Sequence, residues 1–340
     1  MASASMEDVA ARAGVSVSTV SRALRGSSLV SAQTRLRVQA AADELSFAVS
    51  RAASSLATGR LGRIAVLLGG HLGPWFNGTV LDGMYDRFRG ADLDLLVYRI
   101  TDLAERRAFF ERLPARRNAD AMVVASFALT PAEHERLEAL SMPVVYLNQD
   151  IAGKPSVSID DAAGARTGTR YLLHLGHRRF TFVHGVHEEG FAWSATQRIK
   201  GFAAEIAAAD LGASDHQAIA VEGGADGDAI VAQLLSAREL PTAVFAESDE
   251  IALNLLPAIR RVGLRIPEDL SLLGFDGHEM SARFGLSTVE QPVVQMGRQA
   301  ADLAIALAAG RSIEPTRIEV PTRLVPRLTT APPRSHPLRD

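Results

Sequence analysis

Residues 6–45 alternate short apolar stripes with polar faces at helical spacing. Val9 and Ala13 lie four apart, as do Val20 and Leu24, and this spacing predicts two short amphipathic helices. Gly14 stands between them, where the first helix must end and the chain must turn with a positive φ. The pattern therefore predicts a tightly turned pair of short helices.

The second of these helices carries a polar outer face, and Ser16 stands where it can cap that helix. A third helix is predicted to begin after Ser31, with these apolar positions closing a three-helix core: Leu36, Val38, Ala41, Ala42 and Leu45. Short hydroxyls and an arginine are poor core groups and good DNA-contact groups. The pattern favours a helix-turn-helix, while an ordinary αα-hairpin with a solvated face remains the alternative.

The hydrophobic pattern changes after Arg63. Short continuous apolar runs typical of buried parallel strands occur at residues 64–68, 93–98, 121–125, 144–147, 180–183, 243–246 and 270–275. Helical patterns separate them, for example at residues 162–175, 195–208, 251–262 and 296–309. Strand and helix alternate in more units than one open sheet usually holds, so we predict an α/β fold with two doubly wound parallel-sheet lobes. Ligands of such folds bind at the carboxyl ends of the strands.

Composition and charge narrow the class of protein. The 340 residues are 47% hydrophobic and 22% charged, as in ordinary globular domains, and the absence of cysteine excludes disulfides and thiolate metal sites. No export signal or membrane-spanning run is apparent, so a cytoplasmic location is the default expectation. Residues 1–63 hold eight arginines against four carboxylates, a net +4, which leaves −7 for the rest of a chain whose formal charge is −3. A basic head on an acidic body suits a small DNA-binding module joined to a domain of another kind.

Nine stretches of this sequence resemble the LacI/GalR family of transcription regulators, and the resemblance covers nearly the whole chain. They are residues 8–22, 30–35, 53–56, 175–177, 198–202, 248–249, 266–271, 274–276 and 288–292. The resemblance implies a homodimer that binds a near-palindromic operator in double-stranded DNA, with no catalytic site, cofactor, metal or membrane partner. It also implies a body of the periplasmic-binding-protein type.

On this basis the chain is expected to have four segments. They are a helix-turn-helix headpiece over residues 1–48, a hinge helix or linker over 49–60, a two-lobed effector-binding and dimerisation domain over 61–332, and a flexible tail over 333–340. The hinge stretch is small, polar and weakly amphipathic, so its helix propensity is marginal.

The resemblance assigns DNA contacts to the headpiece and the hinge. Base readout in the major groove falls to Val17, Ser18 and Arg22, with Arg22 on guanine. Phosphate contacts fall to five hydroxyl residues, Ser16, Thr19, Ser21, Ser31 and Thr34. Leu56 matches the leucine that wedges into the minor groove, although a linker leucine could also pack on its own lobe. Ser50 and Ser54 depart from the family, so fewer hinge contacts to phosphate are expected.

The resemblance also assigns effector contacts to eight positions: Trp75, Phe76, Asn148, Phe191, Trp193, Arg198, Ser248 and Asp276. Arg198 would fork onto ligand hydroxyls or a carboxylate, and Asn148 and Asp276 would act from the carboxyl ends of strands. Trp75 and Phe76 are expected in a loop that begins a helix. An ordinary ion pair between Arg198 and Asp276, or core packing of the aromatics, is the alternative. Asp249 is expected to cap the following helix.

These expectations converge on a ligand-responsive DNA-binding regulator. We expect a repressor of carbohydrate-utilisation genes that releases its operator when a small sugar-like effector binds the cleft. A corepressor-dependent or activating regulator with a nucleobase or another effector is the alternative. A transport-type sugar-binding protein is disfavoured, because the helix-turn-helix is present and an export signal is not apparent.

Overall fold

Two units divide the chain, Met1–Gly62 and Arg63–Asp340, and each is described by itself. The structure is a computed structural model that describes residues 4–24, 27, 29–47, 60–149, 151–186, 191, 193–212, 216–221 and 226–334. The boundary falls two residues after the one expected from the sequence. The hinge expected over 49–60, with Leu56, Ser50 and Ser54, lies outside the described residues apart from Arg60, and so do the last six residues of the tail.

The described residues of the first unit form three helices, α1 (Met6–Ala13), α2 (Val17–Leu24) and α3 (Ala32–Glu44). Gly14 ends α1 with a φ of 63°, as its place in the sequence predicted. The hydroxyl of Ser16 accepts a hydrogen bond from the amide of Thr19 at 3.2 Å and so caps α2. Ser31 caps α3 in the same way, which confirms the predicted start of the third helix.

The core of this unit is small and aliphatic. Val9, Val20 and Val38, one from each helix, are fully buried and meet at its centre. Leu36 was expected in this core, and that expectation is wrong, because its side chain is 72% exposed. It precedes the buried Val38 by two positions, which on a helix points it to the opposite side.

The described residues of the second unit form two six-stranded sheets. The strands of the first sheet are β1 (Arg63–Gly69), β2 (Asp94–Ile100), β3 (Ala121–Ala125), β4 (Val144–Leu147), β5 (Ser156–Ser158) and β11 (Arg317–Glu319). This sheet is parallel throughout and has the order β11-β5-β4-β3-β1-β2. Its helices are α4 (Trp75–Gly90), α5 (Leu103–Arg112), α6 (Pro131–Glu138) and α12 (Val293–Ala308), with a 3₁₀ turn at Pro114–Arg117. We call this the first lobe.

The second lobe repeats the plan with the order β12-β10-β9-β8-β6-β7, in which β12 alone runs antiparallel. Its strands are β6 (Phe180–Gly185), β7 (His216–Val221), β8 (Ala243–Ala246), β9 (Ser271–Asp276), β10 (Ser287–Glu290) and β12 (Arg323–Val325). Its helices are α7 (Asp161–His174), α8 (Trp193–Ala208), α9 (Gly227–Ser236), α10 (Asp249–Arg261) and α11 (Glu279–Phe284).

The two lobes share the chain through three crossings, after β5, after β10 and after β11. All seven apolar runs predicted as strands are strands, and the four helical patterns are helices. The strands at the crossings were missed because they are only three or four residues long and carry mixed polarity. No helix within the described ranges is long and apolar enough to span a membrane.

Glycines let the paired helices of each lobe approach backbone to backbone. A Cβ on Gly83 of α4 would lie 2.5 Å from the carbonyl oxygen of Val294 in α12. A Cβ on Gly201 of α8 would lie 2.3 Å from the carbonyl oxygen of Ala162 in α7. The first crossing brings the start of α7 against α8, and the buried polar cluster described next lies at this place.

Candidate functional site

The outer face of α2 presents the three residues predicted to read bases. Val17, Ser18 and Arg22 are exposed, whereas Val20 and Ala23 on the same helix are buried against α1 and α3. The exposed set lies on one side because its members are one, four and five positions apart on a helix. This face is narrow and polar, and it places the single arginine of α2 at its end.

Four of the five hydroxyls predicted to contact phosphate stand at helix N-termini. The hydroxyls of Ser16 and Thr19 lie 2.9 Å apart at the start of α2, and Ser31 donates to Thr34 at 2.9 Å at the start of α3. Free amides and the positive end of the helix dipole favour an anion at such positions. Ser21 lies within α2 and is half-buried.

In the second unit, Arg198 and Asp276 meet in a buried polar cluster. Nη1 of Arg198 donates to Oδ1 of Asp276 at 2.9 Å and to the carbonyl oxygen of Glu247 at 2.6 Å. Nε donates to Oδ1 of Asp161 at 2.8 Å, and the guanidinium lies 3.7 Å above the ring centroid of Phe275. One guanidinium thus holds together the start of α7 and the ends of β8 and β9.

The electrostatics of this cluster are set by burial. Burial raises the pKa of Asp276 to about 7, and the charge of Asp249 adds to that rise, although Arg198 opposes it. Burial also raises the pKa of Asp249. Burial would lower the pKa of Arg198, but the carboxylates of Asp276 and Asp161 outweigh it and raise that pKa above its ordinary value. Arg198 therefore remains a cation.

Asn148 and Asp276 stand at the carboxyl ends of β4 and β9, as predicted, and both have a positive φ, 57° and 116°. Nδ2 of Asn148 donates to the hydroxyl of Ser194 in the second lobe at 2.7 Å. Nε2 of Gln291 donates to Asp276 at 2.7 Å from the second crossing. Non-glycine residues held at positive φ are strained and concentrate at functional sites.

Trp75 makes a contact between the two lobes. It is the first residue of α4 and not part of a loop, so the expected loop placement is wrong; Pro74 precedes it as the residue that starts the helix. Its indole Nε1 donates to Glu279 of the second lobe at 2.5 Å, and its ring stacks on His278. Phe76, also in α4, is half-buried and packs against the hydrophobic core of the second unit, as Trp75 does.

The remaining aromatic residues are not brought to one point. Phe191 packs on Phe127, with ring centroids 5.8 Å apart, and lies against the guanidinium of Arg106 in the first lobe. Trp193 borders a cavity of about 190 Å³ that is also lined by Asp161 and Gln197. Asp161, which borders the same cavity as Trp193, bonds to Arg198, so Trp193 lies near that arginine. Phe191 forms a separate contact between the lobes.

The cap of α10 is Ser248 and not Asp249. The hydroxyl of Ser248 accepts the amide of Ile251 at 3.3 Å and caps α10, so the expectation that Asp249 is the cap is wrong. Asp249 is fully buried and accepts the amides of Gly277 and His278 at 2.9 and 2.8 Å, and the hydroxyl of Ser281 at 2.7 Å. It thereby fixes the loop that carries His278 against Trp75.

The sequence reasoning missed three members of the cluster, Asp161, Glu247 and Gln291. Glu247 directly follows β8, so the same strand-end argument that selected Asn148 would have selected it. Gln291 lies within residues 288–292, one of the stretches that resemble the known family. Asp161 follows a three-residue strand that the hydrophobic pattern did not reveal.

Histidine and carboxylate residues near β6 have the spacing of metal ligands, but His187, Glu188 and Glu189 lie outside the described residues. Among the residues that are described, no group of three or more histidine, aspartate or glutamate side chains could hold a metal ion.

Comparison with known proteins agrees with this division of the chain. Residues 5–50 match the family described as bacterial regulatory proteins, lacI family, and residues 169–330 match a periplasmic binding protein-like domain. The HTH-type transcriptional regulator GalR of Escherichia coli (strain K12) is 30% identical, covering 97% of this chain and 96% of GalR. The HTH-type transcriptional repressor PurR of Vibrio atlanticus (strain LGP32) is 28% identical, covering 96% of this chain and 98% of PurR.

Among solved structures, the lac repressor dimer bound to operator and the anti-inducer ONPF has a TM-score of 0.81 and 26% sequence identity. The alignment covers 97% of this chain and all of that repressor chain. The match therefore includes both the headpiece and the lobes.

Proposed function

The chain belongs to the LacI family of bacterial regulatory proteins, and on that premise we propose that it is a repressor whose hold on operator DNA is released by a small sugar-like effector. It would act as a homodimer, each subunit presenting one headpiece to one half of a near-palindromic operator. Its place of action would be the bacterial cytoplasm, where the DNA is.

The observation that carries this proposal is the buried cluster of Arg198, Asp161 and Asp276. Burying three charged side chains is costly, and a domain that needed only stability would be served as well by apolar residues. Strained residues at the strand ends, Asn148 and Asp276, flank the cluster. Charged groups held at strand ends beside a cleft are the usual makings of a ligand site.

The headpiece supplies the DNA-binding half of the proposal. Val17, Ser18 and Arg22 would read base edges from α2, and the hydroxyls at the starts of α2 and α3 would hold phosphates. Leu56 would enter the minor groove from the hinge. Effector and operator would then favour different arrangements of the two lobes, and the hinge would transmit the difference to the headpieces.

Gel-shift titration of the full chain tests the proposal. Operator sites are first selected from a pool of random duplexes, and binding is then measured as sugars are added. A repressor of the proposed kind selects near-palindromic sites and releases them as one sugar is added. Failure to select any site would refute the DNA-binding role, and release of DNA without dependence on any added compound would refute the effector role.

A corepressor-dependent regulator is the second candidate. Among the relatives, PurR, which is named a transcriptional repressor, is about as similar to this chain as the transcriptional regulator GalR is. The same titration separates the two. Tighter DNA binding on addition of a compound identifies a corepressor, whereas weaker binding identifies an inducer.

A further inference from the structure

The guanidinium of Arg198 cannot grip an external acid with two parallel hydrogen bonds. Its Nε is used by Asp161 and its Nη1 by Asp276 and the carbonyl of Glu247. A bidentate grip needs two neighbouring nitrogens, either Nε with an Nη or both Nη atoms. Each of those pairs already has one nitrogen bonded within the protein. The two-nitrogen grip on a ligand that the sequence predicted for Arg198 is therefore blocked by the protein's own acceptors.

The charge around Arg198 is also unfavourable for an anion. Asp161 and Asp276 are each at most 6% exposed and share the charge of this one guanidinium with Glu247, and the fully buried Asp249 adds a further carboxylate that acts on Asp276. Burial and the charge of Asp249 already raise the pKa of Asp276 to about 7. The carboxylates around Arg198 already disfavour the ionised form of Asp276. The added negative charge of a phosphate or carboxylate ligand would be disfavoured further.

Unpaired amide atoms in the same region indicate what the ligand must offer. Oδ1 of Asn148 and Oε1 of Gln291 are buried acceptors with no donor among the described residues, and Nε2 of Gln149 is a buried donor with no acceptor there. Leaving such atoms unpaired costs free energy, which a ligand can recover. A hydroxyl group can both donate and accept, so it suits all three atoms, whereas an ionised phosphate or carboxylate oxygen can only accept.

We propose that Asp161 is a specificity-determining residue, which neutralises and orients Arg198 so that the cleft takes an uncharged polyhydroxylated effector and rejects its phosphorylated or carboxylated counterpart. This inference rests on the proposed function, because it assumes that the cleft is the effector site. Asp161 also borders the cavity lined by Trp193 and Gln197.

Matched pairs of sugars test this inference on the full-length protein. The pairs are glucose with glucuronate, galactose with galacturonate, and ribose with ribose 5-phosphate. Binding of each member is measured by thermal shift and by calorimetric titration. For the wild-type chain we expect the neutral member of one pair to bind about a hundredfold more tightly than its acidic counterpart. Tighter or equal binding of the acidic member would overturn the inference and leave the proposed function intact.

The Asp161→Asn variant then isolates the residue. Its amide oxygen can still accept from Arg198, but the negative charge is gone, so we expect the preference for the neutral sugar to narrow by about tenfold. Asp226→Asn is the control, because it removes the same charge from an exposed residue of the second lobe that caps α9, where asparagine caps equally well. An unchanged preference in Asp161→Asn, or an equal narrowing in Asp226→Asn, would overturn the role of Asp161.

The wild-type comparison does not depend on how well the variant folds. If neither member of any pair binds the wild-type chain while operator binding persists in gel shifts, the sugar effector itself is refuted and the inference falls with it. That outcome differs from a preference for the acidic member, which refutes the inference alone.

Discussion

The indole of Trp75 stacks on the imidazole of His278, with ring centroids 5.2 Å apart and an angle of 29° between the rings. The two residues belong to different lobes, and the indole N–H also donates to Glu279 at 2.5 Å. Asp249 holds the loop beneath His278 by its amides. At this point the contact between the lobes therefore depends on one residue of the first lobe and one loop of the second.

Fluorescence can follow this contact, because Trp75 and Trp193 are the two tryptophans of the chain. In a Trp193→Phe background, Glu279→Ala removes the partner of the Trp75 N–H and opens the indole to water. We expect the emission maximum to move to longer wavelength. Glu239→Ala, an exposed glutamate elsewhere in the second lobe, serves as the control and should leave the emission unchanged. No shift in the Glu279 variant would mean that the contact is absent in solution.

Removing Arg198 should destabilise the second unit strongly. Arg198→Met leaves the carboxylates of Asp161 and Asp276 buried without their cation, which typically costs about 3–5 kcal/mol. The control is Arg261→Met, since Arg261 pairs with Asp228 at the surface, where both side chains are 60% exposed and a loss below about 1 kcal/mol is expected. Denaturant unfolding followed by tryptophan fluorescence measures both. Similar losses in the two variants would contradict the importance of the buried cluster.

The close approach of α7 and α8 predicts a second effect on stability. Gly201→Ala places a methyl group 2.3 Å from the carbonyl oxygen of Ala162, so the helices must separate, at a cost of about 1–3 kcal/mol. Gly90→Ala meets nothing within 4 Å and is the matched control. Asp161 and Arg198 lie beside this contact between α7 and α8. We therefore expect effector binding to weaken in Gly201→Ala as the melting temperature falls. Retention of full effector binding would show that the cluster tolerates the displacement.

His177 links the pH dependence of stability to the C-terminal segment. It lies between the hydroxyl of Thr242 and the carbonyl oxygen of Ala331, 3.0 Å from each, and burial lowers its pKa to about 4. The unfolded chain, with a histidine pKa of about 6.5, binds more protons than the folded chain between these two values. The free energy of unfolding therefore falls as the pH is lowered from about 6.5 towards 4, and the contribution of His177 is complete above that window.

We expect His177→Gln to flatten the slope of melting temperature against pH between pH 7 and pH 4.5. A glutamine can still bond both partners but does not titrate. His71→Gln, at an exposed histidine, should leave the slope as it is in the wild-type chain. An identical slope in His177→Gln would show that His177 does not carry this dependence.

Arg22 should act through one base position in each half of the operator. Arg22→Ala is expected to cost about 1–3 kcal/mol on the preferred site and to relax the choice of base at one position. Quantitative gel shifts on single-base variants of the selected operator measure this. Arg37→Ala, an exposed arginine on α3, is the control for general loss of positive charge. An equal loss on every sequence would instead identify Arg22 as a phosphate contact.

Local sequence patterns predicted most of the fold and the positions of some of the candidate site residues. Apolar residues at helical spacing around Val9, Val20 and Val38 predicted three helices, and continuous apolar runs predicted seven strands. Both patterns are visible in the sequence because a buried helix or strand imposes its own period on neighbouring residues. Asn148 and Asp276 were found because residues at strand ends are close in sequence to the strands that place them. The position of Leu36 was wrong, since a short helix of low amphipathicity shows its buried side only once its neighbours are in place.

The sequence by itself determined the headpiece, the two-lobed architecture and the presence of a polar cleft, since each rests on short-range periodicity or on residues next to a strand. Only the tertiary structure decided what Arg198 does. Asp161, Glu247 and Asp276 reach it from positions 37 to 78 residues away along the chain, at the start of α7 and at the ends of β8 and β9. An arginine's role depends on which charges surround it after folding, because Coulomb interactions depend on distance in space and not on distance in sequence.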